Sequence, residues 1–148
     1  MLSKSAEYAL RVVLQMARLG RAEPVRASDL ARELRVPANY LSKILYLLAR
    51  AGILVSERGR HGGFRLAVPV DALPLAAVVE PFDGPLDRRD CLLGRPECSD
   101  GSPCAAHERW KRVRDEVSRF FRETTVADLA ASLQPGGRAA GGVGRSQP

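Results

Sequence analysis

Pro37-Ala38-Asn39-Tyr40-Leu41-Ser42-Lys43-Ile44-Leu45-Tyr46-Leu47-Leu48, followed after Gly52 by Ile53-Leu54-Val55-Ser56-Glu57-Arg58-Gly59-Arg60-His61-Gly62-Gly63-Phe64-Arg65-Leu66-Ala67-Val68, decides the fold. In the first run Leu41, Ile44, Leu45 and Leu48 share one helical stripe, and Asn39, Ser42, Lys43 and Tyr46 fall mainly on the other side. Pro37 suits a first helical turn, where its missing amide costs nothing, and Gly52 stops the helix. In the second run two strand-like stretches flank Gly59-Arg60-His61-Gly62-Gly63, a turn whose glycines allow positive φ. Upstream, Ser28 is expected to open a short helix carrying Leu30, Ala31 and Leu34, joined to the next by Arg35-Val36. Two short helices with a tight link, then a hairpin, predict a winged helix-turn-helix.

Outward from this centre, Ser3 can cap a first helix on which Ala6, Ala9, Leu10, Val13, Met16 and Ala17 recur, ending at Gly20. Leu73 to Glu80 predict another short helix, broken by Asp83-Gly84-Pro85. Ser102-Pro103 resembles a cap and first-turn proline, so a long helix is expected from about there. Along it Ala106, Trp110, Val113, Val117 and Phe120 alternate steps of four and three, a seam suited to a partner helix. Thr125 should cap a final short helix bearing Val126, Leu129, Ala130 and Leu133. The expected fold is mainly α with a small β-hairpin wing: a winged-helix domain at 1–84, a loop at 85–103, a dimerisation helix and terminal helix at 104–133, and a flexible tail at 134–148.

Charge agrees with a nucleic-acid surface. Residues 1–66 hold twelve Lys and Arg against five Asp and Glu, so the net charge of +6 resides in the N-terminal half. Such a segment suits a polyanion, whose condensed counterions are released on binding. The expected DNA-contacting set is Ser28, Asn39, Tyr40, Ser42 and Lys43 on the helix-turn-helix, with Arg58, Arg60 and His61 on the wing. Asn can pair in bidentate fashion with adenine, Lys can donate to guanine or phosphate, and wing arginines suit backbone or minor groove. Taken singly, each would be at home on a solvated face; their coincidence with the hairpin and the charge asymmetry carries the reading. No run of eighteen apolar residues or signal-peptide pattern appears, so a cytoplasmic protein without a membrane partner is expected.

Cys91, Cys98 and Cys104 are the chain's three cysteines, separated by six and five residues. An odd, clustered set without an export signal points to metal or redox chemistry rather than a disulfide framework. With Cys104 and His107 at i and i+3 on the long helix, three thiolates and a possible fourth donor could hold an iron–sulfur cluster or zinc. The spacing lacks the two-residue gaps of structural zinc pairs, which favours a cluster; a zinc-stapled DNA-binding protein is the alternative. His107 by itself would be an ordinary surface residue near a helix start. No nucleophile–base pair or phosphate-cradling loop appears, so an enzyme is not expected.

Glu7-Tyr8-Ala9-Leu10-Arg11, Tyr40-Leu41-Ser42-Lys43-Ile44-Leu45, the Arg58–Ala67 wing and the three-cysteine loop together resemble the Rrf2 family of iron–sulfur winged-helix transcription regulators, over about residues 1–133. The resemblance implies a homodimer whose long helices cross, binding double-stranded DNA at inverted-repeat operators with an affinity set by the cluster; such proteins sense nitric oxide, redox state or iron–sulfur status, and a repressor is expected. It further implies that Cys91, Cys98 and Cys104 are cluster ligands. The fourth is His107 in one branch of the family. In another it is an acidic residue near the start of the first helix, reaching across from the other subunit, and Glu7 stands there. Cys91 and Cys98 are one residue further apart than is commonest in the family, which leaves [4Fe–4S] and [2Fe–2S] both open; [4Fe–4S] with Glu7 is favoured.

Overall fold

The computed structural model describes residues 1–132; Leu133 and the tail 134–148 lie outside the described residues. Helix α1 spans Lys4–Leu19, and Ser3 caps it by accepting the Ala6 amide at 3.1 Å. Gly20 closes it in the left-handed conformation, its amide returning to the Met16 carbonyl. Helix α2 (Ala27–Leu34) and helix α3 (Ala38–Arg50) form the helix-turn-helix. The expected opening at Ser28 is corrected: the cap position is Arg26, without a side-chain cap, and Ser28 is the second helical residue. Backbone pairing between Val25 and the wing fixes the chain just upstream, so the helix starts earlier than its best capping residue.

Strands β1 (Leu54–Glu57) and β2 (Gly63–Leu66) pair antiparallel with Leu54 opposite Leu66 and Glu57 opposite Gly63. A third segment joins them, unexpected from sequence: Val25 and Phe64 exchange both backbone hydrogen bonds, at 2.7 and 2.8 Å. This approach explains the glycine at 63. Its φ is +149°, and a Cβ there would lie 2.4 Å from the Val25 carbonyl oxygen.

A 3-10 turn (Val70–Ala72) leads to α4 (Leu75–Asp83). Helices α5 (His107–Glu123) and α6 (Val126–Ser132) follow. Thr125 and Asp128 make a reciprocal cap on α6: the Asp128 amide donates to Thr125 Oγ1, and the Thr125 amide donates to Asp128 Oδ2. Helix α6 returns to pack on α1, while α5 packs on α4. Backbone bonds from the Leu75 amide to Thr124 and from the Val126 amide to Leu73 anchor that return. Val12, Val13, Leu30, Leu41, Leu45, Leu48, Leu75, Val78 and Val126 are fully buried in one continuous core. Among the described residues no helix is long and apolar enough to cross a membrane.

Candidate DNA-reading face and sulfur site

The buried stripe of α3 leaves Asn39, Ser42 and Lys43 exposed on its first two turns. Asn39 Oδ1 accepts the Tyr40 amide at 2.9 Å, and Ser42 Oγ donates to the Ala38 carbonyl at 2.9 Å. Tyr40 differs from these. Its hydroxyl lies 2.7 Å from Ser5 Oγ and its ring meets Tyr8 edge-on, so its side chain braces α3 against α1. Arg58, Arg60 and His61 are all exposed at the wing tip, and Arg26 donates to the Arg60 carbonyl at 2.8 Å. Ser28 is exposed on α2. A polar helix face and a cationic hairpin thus stand on one rigid core, the arrangement that presents a helix to a major groove and a hairpin to flanking backbone.

The second site is the segment between α4 and α5. The long helix begins at His107, four residues later than the proline signal predicts. Cys104 lies outside it, in a turn closed by the His107 amide on the Cys104 carbonyl at 3.0 Å. The donor beside His107 is therefore not Cys104 but Cys98, whose Sγ stands 3.3 Å from Nδ1. His107 is 3% exposed, the one buried polar side chain among the described residues. Its Nε2 donates to Asp100 Oδ1 at 2.8 Å, and Lys111 Nζ reaches the same oxygen at 2.9 Å. The ammonium, and then the imidazole, hold the Asp100 carboxyl well below its ordinary range, at about 2. Asp100 and Lys111 were not singled out from sequence, because nothing in loop spacing shows that residue 100 folds back on residue 107.

Cys91 is half-buried in the same loop. Backbone amides of Arg95 and then Leu93 lower its pKa from the ordinary value, and the Cys104 thiol adds to this. All three cysteines are free. The loop carrying them is tied down by the Cys98 amide on the Arg89 carbonyl (2.9 Å) and by the Trp110 indole N–H on the Asp90 carbonyl (2.8 Å). A polar cavity of about 290 Å³ lies beside the site, lined by Cys98, Asp100, His107, Lys111, Arg88 and Arg89.

The donor chemistry fits a thiolate-held cluster. Of the four soft or borderline donors, Cys98 and His107 stand in contact at 3.3 Å. A single tetrahedral zinc would draw its thiolates to roughly 3.8 Å from one another. Among the described residues the one set of three candidate donors within 4.8 Å is Asp100, His107 and Glu108, and the three thiols form no such set. Lys111 on Asp100 already supplies the positive charge that a cation there would bring.

Glu7 is exposed on the first turn of α1, 2.8 Å from Lys4 Nζ, which lowers its pKa by hydrogen bond and charge. The seam on α5 is half open: Val113 and Phe120 are 52% and 50% exposed, whereas Phe121 is buried. Leu92 and Leu93 extend the apolar surface beside Trp110 and Val113.

The model of the Rrf2 family, described as an iron-dependent transcriptional regulator, matches residues 2–132. The chain belongs to the Rrf2 family. This Rrf2 regulator is 36% identical over 135 residues to an HTH-type transcriptional regulator of Mycobacterium tuberculosis, covering 90% of this chain and 83% of that one. It is 27% identical over 128 residues to the HTH-type transcriptional regulator IscR of Vibrio atlanticus, covering 86% of this chain and 73% of the relative. Among solved structures it resembles CymR, the global cysteine regulator of Bacillus subtilis, with a TM-score of 0.77 and 26% identity, covering 88% of this chain and 96% of that one. An Rrf2 protein is a DNA-binding transcription regulator and not an enzyme, and the helical fold with one antiparallel hairpin is the winged helix expected from sequence.

Proposed function

We propose that this Rrf2 chain acts as a homodimeric repressor whose affinity for an inverted-repeat operator is set by an iron–sulfur cluster held on Cys91, Cys98 and Cys104. The observation that carries the reading is the pairing of Cys98 with buried His107 on a loop pinned to α5. His107 is favoured over Glu7 as fourth donor because it already lies beside a cluster thiol, whereas Glu7 is held by Lys4. The Cys98–His107 contact supports a mixed thiolate–imidazole centre, and the iron and sulfide counts below decide between [2Fe–2S] and the [4Fe–4S] centre favoured from sequence. The bound cluster supplies an inorganic centre that reacts with nitric oxide or oxidants.

The chain's own residues carry the consequence. Trp110 and Arg114 tie the loop to α5 through the Asp90 carbonyl, and Arg122 links α5 to Glu80 on α4. Helix α4 packs on α1 and α3, so a change in the loop reaches the reading helix through packed elements. In a dimer joined along the open α5 seam, the same change alters the spacing of two α3 helices, which must stand roughly 34–36 Å apart to read both half-sites. Asn39, Ser42 and Lys43 are assigned to base edges and phosphate, Ser28, Arg58, Arg60 and His61 to flanking backbone, and Tyr40 to bracing α3.

The test is anaerobic purification with iron, sulfide and zinc counts, a visible spectrum, and operator binding before and after nitric oxide. Wild-type protein is expected to be coloured; Cys98→Ala loses the absorbance and changes operator affinity. Unchanged absorbance in Cys98→Ala, or wild-type protein holding zinc without iron or sulfide, refutes the reading.

A further inference from the structure

The residue that decides how His107 faces the sulfur site is Asp100. A carboxylate only accepts hydrogen bonds, so the 2.8 Å contact between Asp100 Oδ1 and His107 Nε2 assigns a ring proton to Nε2. In the neutral ring Nδ1 is then bare, and it lies 3.3 Å from Cys98 Sγ with the residue 3% exposed, so water does not compete. One nitrogen and one sulfur donor on a shared tetrahedral metal stand about 3.6 Å apart, near the separation seen here. Metal-bound histidines generally donate their other ring N–H to a carboxylate, which fixes tautomer and ring plane. Lys111, four residues after His107 on α5, in turn donates to that carboxylate at 2.9 Å.

We propose that Asp100, backed by Lys111, is a positioning residue that holds His107 with Nδ1 presented beside the Cys98 sulfur, and so makes His107 the nitrogen donor to the cluster. The inference rests on the cluster reading above and adds a residue outside the thiol set. Both contacts fall on Asp100 Oδ1, the oxygen that turns the imidazole.

The test compares full-length wild-type, Asp100→Ala and Asp100→Asn proteins, since Asn keeps a carbonyl that can accept the Nε2 proton. In the metal-free forms, proton NMR follows the His107 Nε2 proton. It is expected to be protected from solvent exchange in wild type, lost in Asp100→Ala and regained in Asp100→Asn. In the reduced, cluster-loaded forms with ¹⁵N-histidine, pulsed EPR reads nitrogen coupling. Wild type is expected to show it and Asp100→Ala to lose most of it, with cluster retention against a chelator falling about 10- to 100-fold. Iron and sulfide present but no histidine coupling in wild type, or coupling and Nε2 protection unchanged in Asp100→Ala, overturns the role of Asp100. Wild type without iron or sulfide instead overturns the cluster reading, a distinct result.

Discussion

Replacing Gly63 by Ala tests whether the wing is held by backbone contact with the segment before α2. Gly63 has φ +149°, and an added Cβ would meet the Val25 carbonyl oxygen at 2.4 Å and its carbon at 2.7 Å. Both neighbours are backbone and cannot rotate away, so the strands must separate and the two Val25–Phe64 hydrogen bonds are lost. The unfavourable φ costs about 1–3 kcal/mol, and two backbone bonds contribute about 1 kcal/mol each. The expected loss is about 3–5 kcal/mol, large against the roughly 5–15 kcal/mol that holds an ordinary domain. Gly59→Ala is the matched control: it also has positive φ, at +110°, but nothing lies within 4 Å of an added Cβ. Urea unfolding should place Gly63→Ala about 2 kcal/mol below Gly59→Ala, with faster amide exchange at Val25 and Phe64. Equal stability for the two variants, with Val25 and Phe64 still protected, would refute the steric argument.

Thr125→Ala removes the hydroxyl that caps Asp128 and should destabilise the docking of α6 by about 1 kcal/mol, read by thermal unfolding. The Thr125 amide and hydroxyl lower the Asp128 pKa below its ordinary 3.8, so its contribution is complete above that value and fades as pH falls through the depressed one. Asp128→Asn should therefore flatten acid destabilisation below about pH 4, while leaving the profile near neutrality unchanged in shape. Lys43→Ala or Arg60→Ala should weaken operator binding at low salt and reduce the slope of log affinity against log salt by about 1 each if each meets a phosphate; an unaltered slope would remove that residue from the backbone-contacting set.

Most elements were legible because their signals are local. The stripe Leu41, Ile44, Leu45 and Leu48 is buried as its period requires, and Ser3, Gly20 and Thr125 cap the helices where their chemistry predicts. The start of α5 was misplaced because Ser102-Pro103 is a valid local signal, yet the chain there is committed to the turn closed by the His107 amide on the Cys104 carbonyl. Phe120, which the four–three spacing places on the seam, is half exposed, and its neighbour Phe121, outside that spacing, is buried against the core.

What the amino-acid order determined alone is the set of parts: a basic helix-turn-helix with a glycine hairpin, three clustered thiols, and a helix with a seam. These follow from nearest-neighbour chemistry and from periods of two and 3.6 residues, which need no knowledge of what lies across the fold. Tertiary structure decided the partnerships: Val25 with Phe64, Cys98 rather than Cys104 with His107, and Asp100 with both His107 and Lys111. Each joins residues through a loop or across elements, where no repeat links the partners and only the packed chain brings their atoms together.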